Sequence, residues 1–390
     1  MRQKPYLHHR EHRILMNRHV VLLKSSLAKG GGAEKYTLRL AKAFEEKGCQ
    51  VTILTSGPSL NTDINTLHFV KKPKLSYKHT LDFDAWCKKT IERLKPDIVF
   101  GMDRNSFQTH LRASNGVHAA FLAHRKKAEG FFKALEFKIN PLHRTLLKLE
   151  KLGFEQRETQ KIFTNSHMVK NEILHFYQTD PAKIEVIHNG VEWDEMQKDF
   201  DGWQKRKGAF AKELQLEESS HHLLFIGHNY KRKGLEKLLL GLSLLKEKEF
   251  HLSVLGKEKI LSYFIKLRDK LGLTKKVTFF GNRADVKQFY QLADTLVIPS
   301  FYDPFANVTV EALAMGLFVV SSKTNGGHEV LDSNSGAVIE DLYDPESVAL
   351  ALNKALNYRK TRESALLIRN TYAYLDFSKS LSKFVEATLC

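Results

Sequence analysis

Two carboxylates, Asp303 and Glu311, stand with seven residues between them in Pro299-Ser300-Phe301-Tyr302-Asp303-Pro304-Phe305-Ala306-Asn307-Val308-Thr309-Val310-Glu311. The spacing predicts a loop that carries Asp303 and a helix that starts near Asn307 and carries Glu311 about one turn in. From there the two acids can accept hydrogen bonds from the hydroxyls of one ligand, while free backbone N–H groups at Asn307 and Val308 meet its phosphate oxygens. The plain alternative is that Asp303 caps the helix and Glu311 faces solvent. Upstream, Gly227-His228-Asn229-Tyr230-Lys231-Arg232-Lys233-Gly234 sets three cations before an expected helix. Cations beside a helix N-terminus suit a diphosphate, although a solvated basic turn is the ordinary fate of such a run.

Lys29-Gly30-Gly31-Gly32-Ala33-Glu34 is a glycine loop before a helix. Glycine lets backbone approach a ligand closely. The spacing matches neither G-x-G-x-x-G nor a P-loop, so a simple tight loop remains open. Asn115-Gly116-Val117-His118 ends in a histidine that is a ligand residue or a satisfied structural one. Asp82-Phe83-Asp84 has the D-x-D pattern but sits in a polar, helical-looking stretch. Cys49, Cys87 and Cys390 have no metal-ligand spacing. No metal and no cofactor are expected.

These motifs need elements to hold them. Strands are expected at 20–23, 51–55, 97–100, 161–164 and 184–187, then at 223–226, 252–255, 277–280, 295–298 and 318–321. Helices are expected between them, the clearest at 33–46 and 345–357. The runs read as buried on both faces, as in parallel sheets. The charged stretch 194–220 reads as a linker with a short helix. The fold class is therefore α/β, two Rossmann-like doubly wound domains facing a central cleft. The first spans 18–200 and the second 201–375, with a C-terminal helix at 376–390 returning to the first. Residues 1–17 are a basic extension expected to be disordered, and Met16 is read as the native initiator. The informative motifs follow strands, where open α/β sheets bind ligands.

Composition narrows the field. The chain has 390 residues, 61 basic against 44 acidic, with a formal charge of +17. Such a surface attracts phosphates, whether of nucleic acid, anionic lipid or an anionic substrate. No apolar run approaches the ~18 residues of a membrane span. Three cysteines without a signal peptide point to a reducing, cytoplasmic setting.

Taken in order, Gly31-Gly32-Ala33-Glu34, Thr164-Asn165-Ser166, Ile187-His188-Asn189-Gly190-Val191, Lys233-Gly234 and Asp303-to-Glu311 resemble glycosyltransferase family 4, retaining enzymes of GT-B architecture. The resemblance runs from about Asn17 to the C-terminus, and Asp303-to-Glu311 is its most specific part, similar to the family's E-x7-E. Within the family, Gly116 to Leu122 and the basic turn before Gly234 look most like the lipopolysaccharide core heptose glucosyltransferases. The resemblance implies that Glu311 accepts from the donor ribose and Asp303 from the transferred sugar. It gives Lys233 and Arg232 the leaving diphosphate, and Ala306, Asn307 and Val308 backbone contacts to the donor. Gly31 and Gly32 would line the donor side. His118 would lie against the transferred sugar, with Asp103 and Arg112 beside it on the acceptor side. His118, Lys233 and Asp303 are the expected catalytic residues. Two departures stand out: Asp303 where the family usually has Glu, and His228 where many members have Arg.

The implied reaction is metal-independent transfer of a hexose to a lipopolysaccharide-core or other lipid-linked sugar, with UDP-glucose or another UDP-hexose as the expected donor and ADP- and GDP-sugars left open. Fixed cations and helix N-termini stabilise the charge that grows on the diphosphate. Residues 121–151 carry Arg125, Lys126, Lys127, Lys133, Lys138, Arg144, Lys148 and Lys151 beside Phe131, Phe132, Leu135, Ile139, Leu142, Leu146 and Leu149. They are expected to rest on an anionic membrane, giving a peripheral enzyme at the cytoplasmic face of the inner membrane. Two rivals are a nucleotide-sugar epimerase of the same architecture and a basic nucleic-acid-binding protein. No specific nucleic-acid signature is present.

Overall fold

The computed structural model describes residues 18–25, 27, 32–57, 62–70, 75–130 and 136–390. The basic extension 1–17, Gly30, Gly31 and the aromatic pair Phe131 and Phe132, with Lys133 and Leu135, lie outside the described residues. The chain divides into two units, Met1–Ile187 with Leu381–Cys390, and His188–Ser380.

In the first unit, β1 (His19–Lys24), β2 (Gln50–Thr55), β3 (Asn65–His68), β4 (Ile98–Gly101), β5 (His110–Arg112), β6 (Lys161–Thr164) and β7 (Ile184–Val186) form a parallel sheet ordered β3-β2-β1-β4-β5-β6-β7. Side chains alternate along a strand, and β1 shows both faces buried. Val20 and Leu22 pack with Leu40 and Phe44 of the helix Gly32–Glu46 and with Phe384 and Leu389 of the helix Phe377–Leu389. Val21 and Leu23 pack with Phe83 and Ile91 of the helix Ser76–Leu94. A sheet covered by helices on both sides requires such a doubly apolar strand.

In the second unit, β8 (His221–Ile226), β9 (Phe250–Leu255), β10 (Val277–Gly281), β11 (Thr295–Ile298), β12 (Phe318–Ser322) and β13 (Gly336–Ile339) form a parallel sheet ordered β10-β9-β8-β11-β12-β13. Leu223 and Phe225 join the helices Leu235–Ser243 and Pro345–Leu356 on one face. Leu224 and Leu296 join the helices Trp203–Glu213, Val286–Leu292 and Asn307–Ala314 on the other.

Three expectations need correction. The boundary lies at Ile187/His188 rather than 200/201, because Val191, Trp193, Met196 and Phe200 belong to the second unit's core. The stretch 194–220 is no linker: it forms the helices Gln197–Asp201 and Trp203–Glu213, and Trp203 and Phe210 are buried. Buried Arg369 stitches it down, donating to Trp193 O at 2.9 Å and Gln197 Oε1 at 2.8 Å. Strands β3, β5 and β13 were not expected, being polar (Asn65-Thr66-Leu67-His68), three residues long, or opened by a glycine.

Candidate active site

Both sheets follow the doubly wound order, which reverses beside the first strand: between β1 and β4, and between β8 and β11. Loops at the carboxyl ends of those pairs diverge and leave a crevice, the general ligand site of such sheets. Asp103 follows β4, and Lys233, Asp303 and the helix carrying Glu311 follow β8 and β11, whereas Arg112 ends β5 and His118 opens the helix after it.

In the second unit the loop after β8 is pinned from below. Tyr230 is 1% exposed and packs against Phe225, Phe264 and Phe279, with its hydroxyl donating to Gly256 O at 2.9 Å. The backbone turns at Asn229, which takes φ 58, a region Asn tolerates better than most residues. At Gly227 a Cβ would lie 2.9 Å from Lys233 Cγ, so any side chain there would push Lys233 out of its place. Gly234 is stricter: its φ is +77, and a Cβ would fall 1.7 Å from Pro299 O. The loops after β8 and β11 thus touch backbone to backbone, and Phe301 N donates to Arg232 O at 3.2 Å.

That contact brings Lys233 to Asp303. Lys233 Nζ donates to Asp303 Oδ2, with both side chains largely buried. Asp303 N donates to Thr324 O and Asp303 O accepts from Gly326 N, so the carboxylate rides on a fixed backbone. Arg232 is exposed beside them and reaches Tyr302 O at 3.5 Å. His228 is also exposed, and its Nδ1 accepts from Lys257 N at 2.9 Å.

The helix Asn307–Ala314 opens where this loop ends. Ala306 N donates to Asn325 Oδ1 at 3.1 Å, so this N–H is turned into the protein rather than toward a ligand. Asn307 is exposed and its side-chain oxygen accepts from Asn189 Nδ2 at 2.9 Å. Residues Asn307 and Val308 hold the first-turn positions whose N–H groups have no intrahelical acceptor. Glu311 is half-buried and accepts from Tyr290 OH at 2.6 Å. Burial raises the Glu311 carboxyl above its usual range, the donated hydrogen bond pulls it down, and nearby Glu192 raises it again. Burial and the Glu311 charge hold the Tyr290 phenol protonated.

In the first unit the loops after β1 and β4 meet at Asp103. Its carboxylate accepts from Lys24 Nζ at 2.5 Å, and from Ser25 N and Ser25 Oγ at 2.8 Å each. Arg112 and Asp103 line one small cavity, but the Arg112 guanidinium stacks 3.8 Å from the Tyr36 ring centre and 5.3 Å from Phe384. Burial lowers its pKa. His118 opens the helix His118–Glu129 and is buried, with Nε2 3.1 Å from His143 Nδ1. Burial, then Arg104 and His143, push its pKa down to about 3, so the ring is neutral at physiological pH. Gly32 begins the first helix, while Gly31 lies outside the described residues. Asp84 of the D-x-D pattern is taken up by Ser106 N and Oγ at 2.7 and 2.6 Å.

Several residues that shape the second-unit site escaped the sequence reading. Asn325 is fully buried, donates to Ser321 Oγ at 2.9 Å, and accepts from Ala306 N and Gly327 N. Glu329 is another, its Oε1 2.7 Å from Nε2 of His188, which the sequence reading named only as part of the 187–191 motif. The Asn325-Gly326-Gly327 run, which follows β12 after Lys323 and Thr324, was an available signal, of the same strand-then-glycine type as the others. Tyr290 gave none, because its partner Glu311 lies on another helix.

Two Rossmann-like domains in this order constitute the GT-B fold. The chain belongs to the glycosyltransferases: residues 30–195 match the model of glycosyltransferase family 4, and residues 207–371 that of glycosyl transferases group 1. The lipopolysaccharide glucosyltransferase WaaG of Escherichia coli (strain K12) is 24% identical over 338 residues, 85% of this chain and 88% of that protein. The crystal structure of WaaG aligns with a TM-score of 0.73 at 21% identity, covering 94% of this chain and 99% of the other. HepE of Anabaena, solved in complex with UDP-glucose, aligns with a TM-score of 0.66 at 16% identity, covering 95% of this chain and 99% of that one.

Proposed function

We propose that this glycosyltransferase moves a hexose, glucose from UDP-glucose, to a lipopolysaccharide-core or other lipid-linked sugar, with retained anomeric configuration and without a metal. One observation carries the reading: Lys233 and Asp303 meet at the β8/β11 switch point, beside a helix that presents Glu311. Similarity to a lipopolysaccharide glucosyltransferase along most of both chains supports the acceptor class, and the fold of a neighbour solved with UDP-glucose supports the donor.

The roles follow from chemistry. Glu311, held by Tyr290, accepts from the donor ribose hydroxyls. Asp303 accepts from hydroxyls of the transferred hexose. As the anomeric C–O bond breaks, negative charge grows on the diphosphate. Lys233 and Arg232 neutralise it, with the N–H groups of Asn307 and Val308 meeting its oxygens. Lys233 leaves Asp303 only in part, since one ammonium has three donors. His118 and Asp103 serve the acceptor side, and Arg112, whose guanidinium stacks on Tyr36 and Phe384, borders it from the core. Among the described residues no helix is long and apolar enough to cross a membrane. Attachment to the cytoplasmic face rests instead on residues 121–151, where Lys126, Lys127, Lys138, Arg144, Lys148 and Lys151 are exposed around exposed Ile139. Leu149 of that stretch is buried and takes no part.

Thermal stability against UDP, GDP, ADP and their hexose derivatives tests the donor. A ligand that binds only the folded state raises the midpoint. UDP and UDP-glucose should raise it selectively, and Glu311→Ala should abolish the shift. Lys233→Ala should weaken donor binding and also lose about a hundredfold or more in turnover, the scale of one electrostatic contact to a developing charge. Shifts with none of the nucleotides would sink the proposal. Product NMR with a heptose-terminated lipopolysaccharide reads the anomeric configuration directly, and an epimerase would convert the donor without an acceptor.

A further inference from the structure

The helix His118–Glu129 has no capping side chain at its own N-terminus. Its N-cap is Val117, which has no side-chain acceptor. The cap comes from another helix. Glu150, in Pro141–Glu155, accepts from His118 N at 2.7 Å through Oε1 and from Ala119 N at 3.2 Å through Oε2. The same two oxygens accept from Arg104 Nε at 2.9 Å and from Tyr177 OH at 2.6 Å. Arg104 also donates to Gly116 O at 3.0 Å. The Glu150 side chain is only 1% exposed.

A carboxylate this deep is costly to desolvate unless it is paired and fully hydrogen-bonded. Here four donors meet the roughly four lone-pair positions that an ionised carboxylate offers. One carboxylate thereby joins the loop after β4, the start of His118–Glu129, the helix Pro141–Glu155 and Tyr177 at the end of the helix His167–Phe176. Its anion also sits at the positive end of a helix. Residues on either side of the junction carry the acceptor-side assignment: His118 is bonded to Glu150 through its own N–H, and Asp103 adjoins Arg104.

We propose that Glu150 is a positioning residue for sugar transfer, fixing His118 and, through Arg104, the Asp103 loop; this rests on the reading of that face as the acceptor side. An amide in its place would turn an NH2 toward the donors, so Glu150→Gln disturbs the junction without changing its volume. Tyr177→Phe removes one donor and leaves the rest.

The experiment uses the full chain with UDP-glucose and heptose-terminated lipopolysaccharide. Displacement of reacting groups by about 1 Å can lower a rate about a hundredfold. Glu150→Gln should therefore lower kcat by up to about that factor and raise the acceptor KM, while affinity for UDP, held by the second unit, stays within about twofold of the wild type. Tyr177→Phe should fall between. Hydrogen exchange at the His118 and Ala119 amides should speed up in both variants, with the second unit's protection unchanged. Wild-type kcat, acceptor KM and exchange in folded Glu150→Gln would overturn the proposal. If the wild-type chain transfers no sugar, the assigned function fails separately, and exchange at His118 and Ala119 alone decides whether Glu150 positions them.

Discussion

Glu311 and Lys233 illustrate how a side chain's surroundings set its chemistry. Glu311 is half-buried, and its carboxylate accepts a hydrogen bond from Tyr290 OH at 2.6 Å. A charge-assisted bond of this kind contributes about 1.5–3 kcal/mol. Tyr290→Phe should therefore raise the Glu311 pKa further and weaken UDP binding about tenfold near pH 7, with a steeper loss as the pH falls and the carboxyl gains its proton. Calorimetric UDP affinity between pH 5.5 and 8 checks this, and a flat, wild-type profile would remove Tyr290 from the site. The acid pair and the basic turn were legible in the sequence because each follows a strand within a few residues. Tyr290 and Glu150 were not, because their partners come from other elements and only tertiary packing brings them near. Lys233 and Asp303 were legible singly, and their pairing follows from a backbone contact at Gly234 that spacing cannot express.

At the scale of elements, strands with an apolar run were readable even when short, as in β4, β6 and β11, and polar or glycine-led ones were not. β1 and β8 carry unbroken apolar runs, Val20–Leu23 and Leu223–Ile226, while β2 and β9 are mainly apolar with Thr52, His251 and Ser253 buried among them. β5 is three residues long and contains His110 and Arg112, and nothing local marks it apart from a loop. The starts of β8 and β9 hold a less visible feature. His222 and His251 are register neighbours, both buried, with rings 6.5 Å apart. Burial pushes each pKa down to about 4; Asp294 opposes this at His222, while Lys207 adds to it. A histidine with a depressed folded pKa stabilises the fold above its ordinary value of 6.5, and that contribution is lost as the pH falls toward 4. Each ring accounts for up to about 3 kcal/mol of such acid sensitivity. The urea midpoint of the second unit should thus drop between pH 6.5 and 4.5, and His251→Leu should flatten part of that slope. An unchanged slope in the variant would mean that the ring does not stay neutral in the folded state.

Over the whole molecule, the chain closes its first unit with its last residues. Phe384, Val385 and Leu389 enter the core that β1 and the helix Gly32–Glu46 begin. Phe384 meets Phe163 edge-on with ring centres 5.2 Å apart. Arg18 Nη1 donates to Leu389 O at 2.8 Å, and Lys161 Nζ to Ala387 O at 2.9 Å. Full burial of an aliphatic or aromatic side chain contributes about 1.5–3 kcal/mol. Losing three of them removes several kcal/mol from a domain whose entire stability is on the order of 5–15 kcal/mol. Deleting residues 381–390 should therefore lower the melting of the first unit sharply or abolish its transition. The second unit keeps its complete core and should still bind UDP. Phe384→Ala is the milder form, expected to cost about 3–5 kcal/mol. Scanning calorimetry with and without UDP separates the two units, since the nucleotide should raise only the second transition. A truncated chain whose transitions all match the full-length protein would show that the terminal helix carries no weight in the first core, despite the depth at which Phe384 is buried.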